Sequence, residues 1–369
     1  MNKLRLAVLG AGRLGGFHAQ KLAQNESVEL VAVVDPVAAA RDRVAATCKC
    51  SAAADYRDVI GSIDAAVIAT PTSHHYQVAM DLLVRGIHLL VEKPLCPTLA
   101  QADELARAAR RRQLVLQVGH VERFSPAFDF AAPRVGRPKY IEAVRASGYT
   151  FRSMDIGVVL DLMIHDIDLV LAMVRSPLRK IEAMGLSVLG GHEDAAQARI
   201  EFRCGCVAHL SASRVSHAAG RTMQVWGTGG FASMDFATRK TTVITPSETL
   251  VRRELDIDAL AAEAPDRREY MLQEHLRRED REFAAVDALS LEQADFLDAI
   301  RHSRPPRVTG EHGRDAVAVA EQILGKIRTH AWDDQPEGPV GPLAAPRVVP
   351  APLFGLPEVQ FPYPTPEIG

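Results

Sequence analysis

The 369-residue sequence predicts an α/β protein: a doubly wound parallel sheet followed by an α+β domain with a mostly antiparallel sheet. Three observations carry this. Short apolar runs alternate with helical patterns as far as about Gly119, the rhythm of a parallel sheet covered on both faces. Gly10, Gly12 and Gly15 form G-x-G-x-x-G directly after the first run and at the opening of the first helix. Beyond Gly119 one helix is followed by successive strand-like stretches, the order of an antiparallel meander.

The elements read as follows. LRLAVL (Leu4 to Leu9) is a strand, GAGRLGG a turn, and a helical pattern runs on to about Gln24. Val28 to Val34 is a second strand, closed by Asp35 and Pro36. Helices across Val37 to Thr47, Ser73 to Arg85 and Leu99 to Arg112 alternate with strands at Ala65 to Ala69, Ile87 to Val91 and Leu114 to Val118. DLMIHDIDL, Asp161 to Leu169, is the helix that follows. Strands are expected at Ile181 to Val188, Ala198 to Phe202, Cys206 to Ser213, Thr222 to Trp226 and Phe231 to Asp235. The charged stretch Val251 to Phe283 reads as a loop or exposed helix. Two closing helices, Ser290 to Arg301 and Gly310 to His330, have apolar residues at helical spacing. Ten of the 22 prolines fall in the last 35 residues, so the tail cannot pack a core and reads as an extended arm, free or lying on a neighbouring subunit. The expected division is residues 1–121, 122–332 and 333–369.

A net charge of -3 gives no field favouring nucleic acid. Five cysteines, without C-x-x-C spacing, argue against both a disulfide framework and a zinc site. No window approaches a membrane span and no leader precedes the first strand, so a cytoplasmic address and a small-molecule partner are expected.

The glycine pattern is that of a Rossmann phosphate loop. Gly10 allows the turn, Gly12 the approach of a pyrophosphate, and Gly15 close packing of helix on strand; Arg13 and Leu14 share the loop and the helix N-terminus favours anions. Asp35, about 20 residues on, is placed to accept hydrogen bonds from an adenosine ribose and to repel a 2′-phosphate, which favours NAD over NADP; the other reading is a turn residue. In ATPTSHH, Thr70 and Pro71 line the expected crevice, while His74 either reaches the nicotinamide side or faces solvent, with Ser73 as a helix cap. VEKP brings Glu92 and Lys93 to the carboxyl end of the next strand.

GAGRLGG, ATPTSHH, VEKP and DLMIHDIDL, in that order, resemble the glucose-fructose oxidoreductase, inositol dehydrogenase and rhizopine catabolism (Gfo/Idh/MocA) family over about residues 1 to 330. The resemblance implies a Rossmann domain and a substrate domain with an open sheet often used for subunit contacts, hence a homo-oligomer, dimer or tetramer. It implies hydride transfer between a sugar or cyclitol carbon and a nicotinamide, with Lys93, Asp161 and His165 as the catalytic group and Glu92 near the cofactor. Only Gly157 remains where relatives often carry G-G-G.

On an α-helix Asp161 and His165 are i and i+4 and share a face. A carboxylate beside imidazole favours the imidazolium and fixes the ring, so His165 is expected as the general base and Lys93 as the group holding the developing alkoxide. Asp168 is either a supporting partner or solvated. Hydride transfer needs no metal, and none is expected. His120, Glu122 and Arg123 in VGHVERF are candidate substrate contacts, Arg123 equally a tie between domains. Arg152, Arg214 and Arg221 add positive charge suited to an anionic substrate. VGHVERF is also similar to family members that oxidise the 3-hydroxyl of UDP-N-acetylglucosamine, so a nucleotide sugar is the expected substrate. A free sugar or cyclitol, or a regulator binding NAD and sugar without turnover, are the alternatives.

Overall fold

The computed structural model describes residues 2–150, 155–256, 267–333, 335 and 337–344. The first sheet is built from β1 (Leu4–Leu9), β2 (Val28–Val34), β3 (Ser51–Ala53), β4 (Ala65–Ile68), β5 (His88–Glu92) and β6 (Leu116–Gly119), in the order β3-β2-β1-β4-β5-β6. Every pairing in it is parallel. Leu6 and Val8 of β1 enter one apolar cluster, Ala7 and Leu9 the other, which is why the strands read as unbroken apolar runs. Each such side chain, fully buried, contributes roughly 1.5–3 kcal/mol.

One face is covered by α1 (Arg13–Ala23), α2 (Ala38–Cys48) and, from far along the chain, the Ala288–Arg301 helix, whose Phe296 and Leu297 join Ala19 and Leu22. The other carries α3 (Thr72–Val84) and α4 (Leu99–Arg112), with the Gly310–Arg328 helix packed on α4. The strand order reverses between β1 and β4, and the loops after those strands open a crevice there.

After the short α5 (Pro126–Ala131), the second sheet contains β7 (Pro138–Ala146), β8 (Leu178–Leu186), β9 (Ala195–Phe202), β10 (Val207–Ser213), β11 (Gly220–Gly227), β12 (Gly230–Asp235), β13 (Lys240–Pro246) and β14 (Leu276–Glu282). Its order is β14-β13-β12-β11-β7-β10-β9-β8. Only β7 and β10 run parallel; the other pairs are antiparallel. α6 (Ile164–Val174) and the Gly310–Arg328 helix cover one face, so one apolar cluster continues from the first sheet into the second. Tyr140, Trp226 and Phe231 stack on one another, with Trp226 37% exposed.

Two sequence expectations are corrected here. The charged stretch expected as loop or exposed helix contributes β14, paired along its length with β13. An edge strand that buries neither face shows no apolar alternation, and charged pairs such as Arg278 with Asp280 and Arg281 with Glu279 occupy it instead. Residues 257–266 of that stretch, and most of the proline-rich tail, lie outside the described residues. The helix of DLMIHDIDL begins as a π turn, Val159–Met163, before α6. Its i→i+5 hydrogen bonding rotates Asp161 relative to His165.

Candidate active site

The loop after β1 is shaped by its glycines. Gly10 has φ +98°, a left-handed conformation, and donates its N–H to the Val34 carbonyl at 2.8 Å. A Cβ at Gly15 would collide with the Gly10 carbonyl, so α1 seats directly on the turn. Gly12 meets nothing within 4 Å on its Cβ side, and no side chain caps α1; the first N–H groups of that helix are left for a ligand anion. The Asp35 carboxylate ties this loop to the end of β2, accepting from the Ala11 N–H at 2.7 Å and the Val37 N–H at 2.8 Å.

A cleft of about 800 Å³ opens here. Gly10, Gly12, Arg13, Leu14 and Asp35 line one side; Thr70, Pro71, His74, Glu92 and Lys93 the other; Asp161 closes the end. Gly15 lies beneath, in the packing. The Thr70 hydroxyl is buried without a partner among the described residues, so a polar ligand in the cleft satisfies it. His74 is exposed and lines the cleft, whereas its neighbour His75 is buried between the carbonyls of Thr70 and Pro94, each 2.9 Å from a ring nitrogen. Ser73 does not cap α3, which starts at Thr72 behind Pro71. An elongated cleft with glycine-backed amides and an acid at the end of β2 fits a dinucleotide.

Lys93, at the end of β5, reaches across to the π turn. Its Nζ donates to the Asp161 carboxylate at 2.9 Å and to the Asp161 carbonyl at 2.6 Å. His165, one turn on, is half-buried, with Nδ1 shielded from solvent and lacking a partner among the described residues. Burial, then the charges of Lys93 and Arg145, hold its pKa well below the usual imidazole value. The expectation that Asp161 favours the imidazolium is therefore overturned: Asp161 is turned toward Lys93, and His165 stays neutral. The His120 ring stands 6.4 Å from His165, nearly perpendicular to it, with neither nitrogen partnered among the described residues.

Behind Lys93, the Glu92 carboxylate lies 2.7 Å from His18 Nε2, and Gln293 Nε2 sits 2.9 Å from His18 Nδ1. Gln293 Nε2 also donates to the His18 carbonyl, so His18 Nδ1 accepts and its Nε2–H donates to Glu92. Glu292 is buried beside Glu92 with both oxygens unpartnered among the described residues, and burial followed by the Glu92 charge raises its pKa well above the carboxylate range.

The expected cluster of substrate arginines is corrected. Arg123 makes a two-point ion pair with Asp168, at 2.6 and 3.0 Å, so it ties the segment after β6 to α6 and Asp168 is its partner. Arg214 donates to Asp194 at 2.7 Å and to the Ile156 carbonyl at 2.9 Å. Glu122 is held by Arg145, which also pairs with Asp166. Arg152 lies outside the described residues. Short-range sequence reading gives these arginines charge but not their distant acids.

Reasoning from sequence missed Arg145, Glu193 and Asp194. A signal existed for Arg145: it occupies the buried phase of β7 after Ile141 and Ala143. Glu193 accepts from the Val159 N–H at 3.1 Å through its side chain and from the Val158 N–H at 2.9 Å through its carbonyl, capping the turn that carries Asp161. A Cβ at Gly157 would overlap the Glu193 carboxylate. Together with Arg214 on Ile156, the Glu193–Asp194 loop braces the start of the catalytic turn.

Residues 4–120 match the family model described as "Oxidoreductase family, NAD-binding Rossmann fold", and residues 117–233 match the GFO/IDH/MocA C-terminal domain. The chain is 35% identical to the UDP-N-acetylglucosamine 3-dehydrogenase of Acidithiobacillus ferrooxidans over 324 residues, 88% of this chain and 97% of that one. A solved structure of that enzyme superposes with a TM-score of 0.76 over 88% of this chain and 98% of its own. The scyllo-inositol 2-dehydrogenase (NAD(+)) of Bacillus subtilis is 29% identical over 58% of this chain and 68% of its own. The Lactobacillus casei scyllo-inositol dehydrogenase structure with NAD(H) and scyllo-inositol shares the fold, with a TM-score of 0.70 at 20% identity over 88% of this chain and 97% of that one.

The brace makes a prediction. Gly157→Ala costs about 1–3 kcal/mol by overpacking, read as a fall in melting temperature. Adding Glu193→Ala removes the overlapping carboxylate, so the double variant is more stable than the sum of the singles allows; strict additivity contradicts the account.

Proposed function

The chain belongs to the GFO/IDH/MocA family of NAD-binding oxidoreductases, and on that premise we propose that it oxidises the 3-hydroxyl of a nucleotide sugar such as UDP-N-acetylglucosamine to a ketone. The observation that carries the reading is Lys93 held by Asp161 at the end of the cleft, one turn from the half-buried His165. The match to a UDP-N-acetylglucosamine 3-dehydrogenase over nearly that enzyme's whole length supports the substrate class.

NAD, when bound, supplies the hydride acceptor. His165 takes the proton of the hydroxyl, for which a neutral imidazole is the competent form. The Lys93 ammonium, fixed by Asp161, hydrogen-bonds the same oxygen and stabilises negative charge developing on it. Glu92 sets the Lys93 backbone, accepting from its N–H at 3.2 Å. His120 contacts the sugar, and His74 reaches the nicotinamide side of the cleft. Gly10, Gly12, Arg13, Leu14, Thr70 and Pro71 hold the dinucleotide, and Asp35 takes the adenosine ribose. No helix among the described residues is long and apolar enough to cross a membrane, consistent with a cytoplasmic enzyme. The open second sheet, on which Trp226 is partly exposed, serves the subunit contact of a homo-oligomer.

Mixing the protein with NAD and UDP-N-acetylglucosamine generates NADH absorbance; turnover only of inositol or free sugar moves the substrate to the neutral class, and NAD binding without any turnover makes the protein a regulator. His165→Asn lowers kcat by about 10²–10⁴-fold while NADH binding persists. Because the His165 pKa is depressed, the base is protonated only at lower pH than an ordinary histidine. The acid limb of kcat/KM for oxidation therefore lies below pH 6.5, and a limb at or above that value contradicts the assignment. Asp35→Asn, which keeps the shape but removes the charge, shifts the NADP-to-NAD preference toward NADP by about tenfold or more; an unchanged ratio removes Asp35 from cofactor choice.

A further inference from the structure

Of the arginines Arg123, Arg145, Arg214 and Arg221, three are held by acids. Arg123 is held by Asp168, Arg145 by Asp166 and Glu122, and Arg214 by Asp194. Arg221 is different: it is exposed, and its guanidinium has no hydrogen bond or ion pair among the described residues. Its direction follows from sheet register. Arg221 of β11 is the direct antiparallel partner of Arg145 of β7, and paired residues project from the same face. Arg145 crosses to Asp166 of α6, so Arg221 also projects toward the face bearing α6 and His165. Its charge is close enough to act on both His165 and Asp166.

Two like charges placed opposite each other repel. Asp166 and Glu122 spend their hydrogen bonds on Arg145, so the N–H groups of Arg221 are engaged by neither acid. A partly exposed guanidinium next to a substrate position, with no acid of its own, is suited to a phosphate, whose oxygens it engages through two N–H groups.

We propose that Arg221 forms an anion subsite for the diphosphate of the nucleotide-sugar substrate, the role that sequence alone spread over Arg123, Arg152, Arg214 and Arg221. This rests on the nucleotide-sugar reading above and adds the residue that distinguishes such a substrate from a neutral sugar.

The test uses the full chain saturated with NADH and UDP as the probe, with affinity measured by calorimetry at two salt concentrations. Wild type binds UDP, and Arg221→Gln weakens binding about 10–100-fold, the loss expected for a charge-assisted contact. Arg221→Lys recovers part of the affinity, because charge without the planar fork remains. The wild-type affinity falls with salt more steeply than that of Arg221→Gln. NADH affinity and melting temperature stay at wild-type values in both variants. Equal UDP affinity in wild type and Arg221→Gln overturns the subsite, as does a wild type that does not bind UDP. A fall in melting temperature with unchanged UDP affinity assigns Arg221 to balancing the Arg145 cluster instead, which also overturns it. UDP binding that depends on Arg221 without NADH formation from UDP-N-acetylglucosamine keeps the subsite and sinks the dehydrogenase reading, so the two failures are separable.

Discussion

The contact between Lys93 and Asp161 is the constraint on which the site depends. Lys93 ends a strand of the parallel sheet, and Asp161 sits 68 residues later on a turn packed against the other sheet. Neither sheet alone makes a site. The dinucleotide cleft belongs to the first, His165 to the second, and the ion pair sets the distance between them. The pair is partly buried, with 16% and 18% of the two side chains exposed, so it is stronger than a surface pair and still open to a ligand on one side.

Around that contact the chain neutralises its own charge before a substrate arrives. Arg123 with Asp168, Arg145 with Asp166 and Glu122, and Arg214 with Asp194 are buried ion pairs radiating from one short helix and the loops that touch it. Breaking such a pair leaves a buried charge uncompensated, at a cost of several kcal/mol. These pairs are therefore rigid. The flank of His165 is set by fixed charges, which, with burial, keep its imidazole neutral. The Glu193 cap and the absent side chain of Gly157 fix the turn from the other end.

Much of this was legible in the sequence. The glycine loop, Asp35, Thr70 and Pro71, Lys93, Asp161 and His165 were all named from motifs, and all but Gly15 and His165 line one cleft. Five strands of the first sheet were legible because strands buried on both faces announce themselves as apolar runs; the short, largely exposed edge strand β3 was not. Three strands of the second sheet were not. β7 carries an arginine in its buried phase, β13 is rich in threonine, and β14 is a charged edge. The partners of the arginines were also hidden: Arg123 and Asp168 are 45 residues apart, and Arg214 and Asp194 are joined only when β9 and β10 pair. Local sequence gives a charge its sign, but only tertiary pairing tells whether that charge is free. The π turn misled in the same way, since an i, i+4 argument holds only for α-helical hydrogen bonding.

If the ion pair across the two sheets builds the site, Lys93 and Asp161 act as one unit. The direct measurement is a double-mutant cycle with Lys93→Met, Asp161→Asn and the combined variant, read as the single-turnover rate of NADH formation from UDP-N-acetylglucosamine. The account predicts that either single change removes nearly as much rate as both together, as is found for residues that function jointly. Losses that multiply independently would mean that the two side chains contribute separately and that their contact does not organise the site.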